Sequence, residues 1–548
     1  MGNENNKIIL PRLLRDGAVL QRDKRVHIWG WGSADSSVEV KLAGVSKRTD
    51  TNASGRFDVF FDPFPAGGTY SLAVEGDGSI ATSEDIYFGD VFLMSGQSNM
   101  EFPMCRVKDT YPEEWDVKVY DKLRSFKISE KTCFDKPLEE LETGEWKKIG
   151  PDMLDDCPAL GYFLCKELYE KTGVPVGVIN ATLGGSPIEA WMSRDMLADY
   201  PEYLEIADRY NSREYIERLL KNNDKVYSKW DASIRDNDIG IKKGADWYNG
   251  SFIDGGEDIF LPTYFRGTAL DGFTGSVWLG RKFEASKEMA EAECMLWLGT
   301  LIDSDVVYIN GTFVGTTPYC YPPRRYPIPA GVLKEGTNTI CIQLMVNGGA
   351  GGVTPHKSLT IFRGDVRREI VNDEERIVGA TESIDLAGSW KYAIGAHTEK
   401  IGEVDFIGYK PTGLFNGMLY PCTNYPIFAF LWYQGESNTE EPEGKYFDLS
   451  RLHIESLRKL WGEELPYIYT RLPELDAMPQ LTEEEKANIK IKSGWEKMRE
   501  LQTLMERQIH NSYMADSDGT GELHDIHPQG KKPIAKEYAR IIYSLLSK

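Results

Sequence analysis

Three stretches of this chain are nearly unbroken apolar runs that close on small or amide-bearing residues: "IYFGDVFLMSGQSNM" from Ile86, "VPVGVINATLGGSPIEAW" from Val174 and "YPIFAFLWYQGESN" from Tyr425. A strand with one wet face alternates apolar and polar residues. Runs like these have no wet face, as in parallel strands covered by helices on both sides. Helical segments follow them. "CPALGYFLCKELYEKTG" has Gly173 placed to end it, "FDLSRLHIESLRKLWG" is a second, and in "KKPIAKEYARIIYSLLSK" Ile534, Tyr538, Ile541 and Leu545 mark one face. Alternating β and α elements predict a parallel sheet between helices. Such sheets place ligands at the C-terminal ends of their strands, where these runs turn small and polar.

Two other regions have a different texture. Residues 1–85 contain short β-branched or aromatic runs ("VHIWGWG", "SVEVKLAG", "RFDVFF", "TYSLAVEG") separated by turns, which predicts a small N-terminal β-sandwich module. Residues 255–400 repeat that pattern at greater length ("GSVWLGRKFEA", "DVVYINGTFVG", "TNTICIQLMV"). The expected organisation is an α/β domain in two parts, 86–254 and 401–548, split by a β-sandwich inserted at 255–400. The ends of an insertion lie close together, so a surface loop can accommodate one.

With 63 Lys+Arg against 85 Asp+Glu, the net charge of −22 disfavours general binding to nucleic acid or to anionic membranes. No run is long enough to span a bilayer, and "MGNENNKIILPRLL" has no charged-then-apolar signal region. The chain therefore reads as soluble, although a trimmed secretion signal would leave the same sequence. Its 8 cysteines form no CxxC pair and no Cys/His spacing suited to zinc, so no zinc site is expected.

Ser98, at the end of the first run, is a candidate nucleophile, and a helix N-cap is the structural alternative. Met100 stands where a GxSxG elbow requires its second glycine, which disfavours an ordinary α/β-hydrolase. Of 7 histidines, His524 and His527 share the segment "GELHDIHPQGK", and His527 is the candidate base. Asp525 could orient its imidazole, with Asp516, Asp518 or a backbone carbonyl as alternatives. Gly184 and Gly185 would let a bare backbone N–H approach a reacting carbonyl. Gln434 and Asn438 offer neutral amide donors, and Glu436 between them is expected to act as an acceptor holding those amides. A glycosidase would need two carboxylates facing one cleft, and Glu436 reads as a structural acceptor rather than a second catalytic acid.

Taken in order, "GQSNM", "GGSPIEAW", "WYQGESN" and "DIHPQGK" resemble the successive blocks of SGNH (GDSL-like) hydrolases, in the branch of the sialate O-acetylesterases. "VLQRDKRVHIWGWG" resembles the β module opening that family, and the inserted strands resemble a galactose-binding-like sandwich. The resemblance implies an SGNH-type, flavodoxin-like α/β/α hydrolase domain. It also implies a metal-independent serine esterase, needing no cofactor, that removes O-acetyl groups from sialic acids, with 9-O-acetyl sialate as the characteristic substrate. By position, Ser98 would attack and His527 would serve as base and then acid. The N–H groups of Ser98 and Gly185, with an amide from Gln434 or Asn438, would form the oxyanion hole. Asp525 departs from the pattern, standing two residues before the histidine where many SGNH enzymes have Asp three before it. Arg194 and Arg106 are candidates for a substrate carboxylate. The rival readings are an acetyl esterase of plant polysaccharide such as xylan, and a glycan-binding protein on a vestigial hydrolase fold.

Overall fold

The computed structural model describes residues 8–116, 119–348, 351–442, 444–476 and 493–547. Its central sheet contains β1 (Ser79–Gly96), β2 (Tyr120–Lys127), β3 (Trp146–Ile149), β4 (Val176–Thr182), β5 (Ala429–Tyr433), β6 (Tyr467–Thr470) and β7 (Ser512–Ala515). They lie side by side in the order β7-β6-β5-β1-β4-β2-β3. Neighbours are parallel except for β2 and β3 at the edge. Every residue of β4, β5 and β6 is buried, which is the physical content of their unbroken apolar runs.

Helices cover both faces. Of those that matter here, α1 is the single turn Ser98–Glu101 and α2 spans Ala159–Thr172. They are followed by α3 (Pro201–Tyr210), α4 (Arg213–Asn237), α5 (Lys445–Trp461), α6 (Gly494–Gln508) and α7 (Lys531–Leu546). His453 of α5 lies against the rings of Phe430 and Trp432, whereas Lys531 of α7 lies against Tyr433. Even- and odd-numbered side chains of one strand point to opposite faces, so α5 and α7 sit on opposite sides of β5. α2 packs with α7, and α5 with α6. Leaving aside β2 and β3, the strand order reverses its direction of winding at β1, the place where doubly wound sheets open a crevice at their C-terminal ends.

The change of texture at Ile86 is a change of burial within one strand. The first half of β1 pairs with Gly67–Gly76 of the N-terminal β module. Its second half, wholly buried from Ile86 onward, pairs with β4 and β5. Apolar residues of the module and of the α/β sheet form one continuous core, so residue 85 does not separate two independent units.

The inserted segment is built differently. A six-stranded antiparallel sheet, from Glu257–Leu261 to Gly388–His397, stands with a four-stranded one around a core of its own. α4 leads into it. The buried carboxylate of Asp238, just past α4, accepts from Ser276 Oγ (2.6 Å), Gln343 Nε2 (2.7 Å) and Trp278 Nε1 (3.1 Å), which fixes the entry point. Among the described residues no helix is long and apolar enough to cross a membrane.

Candidate active site

β1 ends at Gly96, where φ is +134° and a Cβ would collide with the carbonyl of Tyr433 on β5. Glycine is needed there for β1 and β5 to approach, and the turn it permits lifts the next residues to the C-terminal edge of the sheet. Gln97, not Ser98, is the N-cap of α1, so the cap alternative for Ser98 does not hold. The Ser98 hydroxyl lies 2.8 Å from His527 Nε2, although the two residues are 429 positions apart in sequence.

His527 stands on the loop before α7 with its ring between two aromatics. Phe102 lies roughly parallel at 6.1 Å, and Tyr321 from the inserted sandwich meets it edge-on at 4.8 Å. Burial lowers the imidazole pKa to about 4. The Asp525 carboxylate opposes that shift, while Lys531 and Arg106 reinforce it. The imidazole is therefore neutral at ordinary pH and able to accept a proton at Nε2.

Asp525 does not reach the imidazole. Its Oδ1 accepts the backbone N–H of His527 at 2.8 Å, and its Oδ2 accepts from Lys357 Nζ at 3.0 Å. Among the described residues the buried His527 Nδ1 has no hydrogen-bond partner. The expected carboxylate–imidazole bond is replaced by a carboxylate–backbone bond, because residues two apart here form a tight turn (Asp525 N–H to Glu522 O, 2.9 Å) rather than an extended segment. The alternatives are engaged elsewhere: Asp516 pairs with Arg471, and Asp518 with Arg471 and Arg499.

On the opposite side of Ser98 the two glycines behave differently. The Gly184 N–H is taken by Glu101 Oε2 at 2.8 Å. Gly185 has φ +76°, and a Cβ there would collide with the Tyr409 hydroxyl. Among the described residues its N–H has no hydrogen-bond acceptor. As the first residue of α1, Ser98 likewise has no acceptor within the helix for its own N–H.

The third block forms a buried lattice. Gln434 Nε2 donates to Asn438 Oδ1 (2.6 Å) and Gln97 Oε1 (3.1 Å). Asn438 donates to Glu189 Oε2 (3.1 Å) and accepts from the N–H of Ile188 (3.0 Å). Both amides thus hydrogen-bond within this lattice. Glu436 holds neither of them: its Oε1 accepts from Asn99 Nδ2 at 2.7 Å. Asn99 also donates to the carbonyl of Ile526 (2.9 Å) and accepts from Lys531 Nζ (2.5 Å). All three side chains are buried. Burial raises the Glu436 carboxyl above its ordinary value and lowers Lys531 to about 7. Gln97, Asn99 and Lys531 were not singled out as site residues. The first two flank the serine within the quoted motif, and Lys531 closes the last one.

Of the two arginines, Arg106 lies beside the site, stacked 5.1 Å over Phe102 with Nη2 on the carbonyl of Tyr321 (3.1 Å). Arg194 instead pairs with Asp208 at 2.7 Å on the surface. Among the described residues no cluster of His, Cys, Asp or Glu is arranged to hold a metal ion.

No protein-family model matches the chain. It is 29% identical over 197 residues to the sialate O-acetylesterase of Rattus norvegicus, covering 33% of this chain and 36% of that protein. The sialate O-acetylesterases of Pongo abelii and Homo sapiens are each 27% identical over 270 residues, covering 46% of this chain and 50% of theirs. The chain thus spans half or less of the length of these curated relatives. A carbohydrate acetylesterase from Xanthomonas citri has a similar fold, with a TM-score of 0.56 at 21% identity over 98% of this chain and 76% of that one. The resemblance read from the four sequence blocks is borne out by these relatives.

Proposed function

We propose that this relative of the sialate O-acetylesterases is a serine esterase that removes acetyl groups from a carbohydrate. The observation that carries the reading is the 2.8 Å contact between Ser98 Oγ and a buried, neutral His527. Ser98 Oγ attacks the ester carbonyl carbon as its proton passes to His527 Nε2. The tetrahedral oxyanion is met by the N–H groups of Ser98 and Gly185, and the sugar hydroxyl leaves carrying the proton from the imidazolium. Water, deprotonated by the same imidazole, then cleaves the acetyl-enzyme and frees acetate. Gln434, Asn438 and Glu436 hold the turns that carry these groups, and Asp525 positions the backbone of His527. In this reading the fold is the SGNH type, and the inserted domain is a galactose-binding-like sandwich.

The finer assignment, 9-O-acetylated sialic acid, is supported by the likeness to sialate O-acetylesterases and by Arg106, whose guanidinium beside His527 suits a substrate carboxylate. The test is acetate release from 9-O-acetylated sialic acid and from acetylated xylan, for wild type and Ser98→Ala, with EDTA present. Release from the sialic acid that vanishes in the variant supports nucleophile and substrate together. Preference for xylan keeps the chemistry and changes the substrate. If wild type cleaves neither of these nor 4-nitrophenyl acetate, the reading as a glycan-binding protein on a hydrolase fold takes the lead.

A further inference from the structure

The loop that carries His527 is held from the far side by the inserted sandwich. Lys357, buried at the start of the sandwich strand Leu359–Arg363, donates to Glu522 Oε2 (2.7 Å) and to Asp525 Oδ2 (3.0 Å). Arg368, also buried, bonds the Glu522 carboxylate with both terminal nitrogens and reaches Glu375 at 2.8 Å. The two carboxylates in turn grip the loop's backbone: Glu522 Oε1 accepts the N–H of Gln529 (3.0 Å), and Asp525 Oδ1 that of His527 (2.8 Å). Burial by itself would raise the Glu522 carboxyl, but Lys357 and Arg368 outweigh it and hold it well below its ordinary value. Buried Glu522, stripped of these cations, would protonate or turn toward water and release the backbone N–H it holds.

We propose that Lys357 is a positioning residue of the hydrolytic site: a cation supplied by the inserted sandwich sets the place and basicity of His527 through Asp525. The inference rests on the esterase reading. The charged and titratable groups facing His527 are Asp525 on its own loop, Lys531 at the head of α7, Arg106 beyond α1, Tyr321 of the sandwich, and Ser98. Lys357 offsets the first of these. Replacing it with an uncharged side chain leaves the negative charge of Asp525 less compensated, so His527 binds a proton more readily.

The experiment uses the full chain and 4-nitrophenyl acetate, an ester too small to depend on sugar contacts. Lys357→Met, Lys357→Arg, Asp525→Asn and the Lys357→Met/Asp525→Asn double variant are compared, with Ile342→Ala of the sandwich core as a control for general loosening. Lys357→Met is expected to lose about 10-fold in kcat with KM nearly unchanged and to shift the acid limb of kcat/KM upward. Lys357→Arg should restore part of both. The double variant should lose no more than the worse single one, because both substitutions cut the same link. Ile342→Ala should lower the thermal midpoint and leave the acid limb in place. An unchanged kcat and limb in Lys357→Met, fully additive losses, or an equal shift in Ile342→Ala would overturn the proposal. An inactive wild type would instead overturn the esterase reading on which it rests.

Discussion

Asp525→Asn separates two ways of holding a histidine. Where an acid bonds the imidazole directly, amide substitution costs about 10⁴-fold in kcat, because the tautomer is wrong. Here the carboxylate bonds the His527 backbone N–H, and an asparagine Oδ1 can still accept that bond. What changes is its strength. A hydrogen bond to a charged group contributes about 1.5–3 kcal/mol net against about 0.5–1.5 for a neutral one. The asparagine Nδ2, turned toward Lys357, also forfeits the second bond. A difference of about 1–2 kcal/mol corresponds to a loss of roughly 5- to 30-fold. The sign of the pH effect follows as well. Asp525 is the group that opposes burial in setting the His527 pKa, so its neutralisation moves the acid limb below the wild-type position near pH 4. The assay is kcat/KM for 4-nitrophenyl acetate from pH 3.5 to 8, a span chosen to run about half a unit below that limb and past neutrality. A loss of about 10³-fold or more would show that Asp525 acts on the imidazole itself, and a limb that rises would show that its charge does not support the imidazolium; either result would refute the reasoning.

In wild type, kcat/KM should stay nearly flat from neutral pH to about pH 5 and fall by half near pH 4, the reverse of an unperturbed histidine, which at pH 5.5 would already have lost roughly nine-tenths of its neutral form. Gly185→Ala should lose at least about 100-fold in kcat, since the residue sits at φ +76° with Tyr409 against its Cβ position and, in the proposed mechanism, supplies an oxyanion N–H; expression and thermal midpoint near wild type would confine the loss to the site. Asn99→Leu leaves buried Glu436 and Lys531 without the amide between them and should destabilise by about 3–5 kcal/mol in urea unfolding. Burial holds the folded-state pKa of His527 at about 4 and that of His453 at about 3. Both therefore contribute stability that is full above the unfolded value near 6.5 and is lost as pH falls toward those folded values, by about 2–3 kcal/mol for each between pH 7 and pH 4.5, which urea midpoints at those two pH values would reveal.

Much of this was legible in the sequence because burial on both faces leaves an unbroken apolar signature. β4 and β5 are such runs, and the small or amide residues closing them mark the crevice. The N-terminal limit was less legible, since one strand serves two sheets and sequence texture reports burial rather than connectivity. α4 gave no signal of the same kind: it is largely exposed, with Ile234 alone fully buried. Within the site, residue types were readable but hydrogen-bond partners were not. Nothing local distinguishes an aspartate that bonds an imidazole from one that bonds the backbone two residues on. Lys357 lies 168 positions before Asp525 and in the other domain, so no spacing could have joined them.

The central position of β1 has a consequence for biosynthesis. Its partner β5 begins at residue 429, after the whole inserted sandwich. At about 5–20 residues per second, a ribosome needs roughly 20 s to a minute to cross that interval. Throughout it, the buried half of β1 presents an unpaired edge. A sandwich with a core of its own can fold meanwhile, but the half-sheet can only wait, and an unpaired apolar edge is what aggregation exploits. Yield in a heterologous host should therefore respond to chaperone supply and to translation speed across residues 97–428.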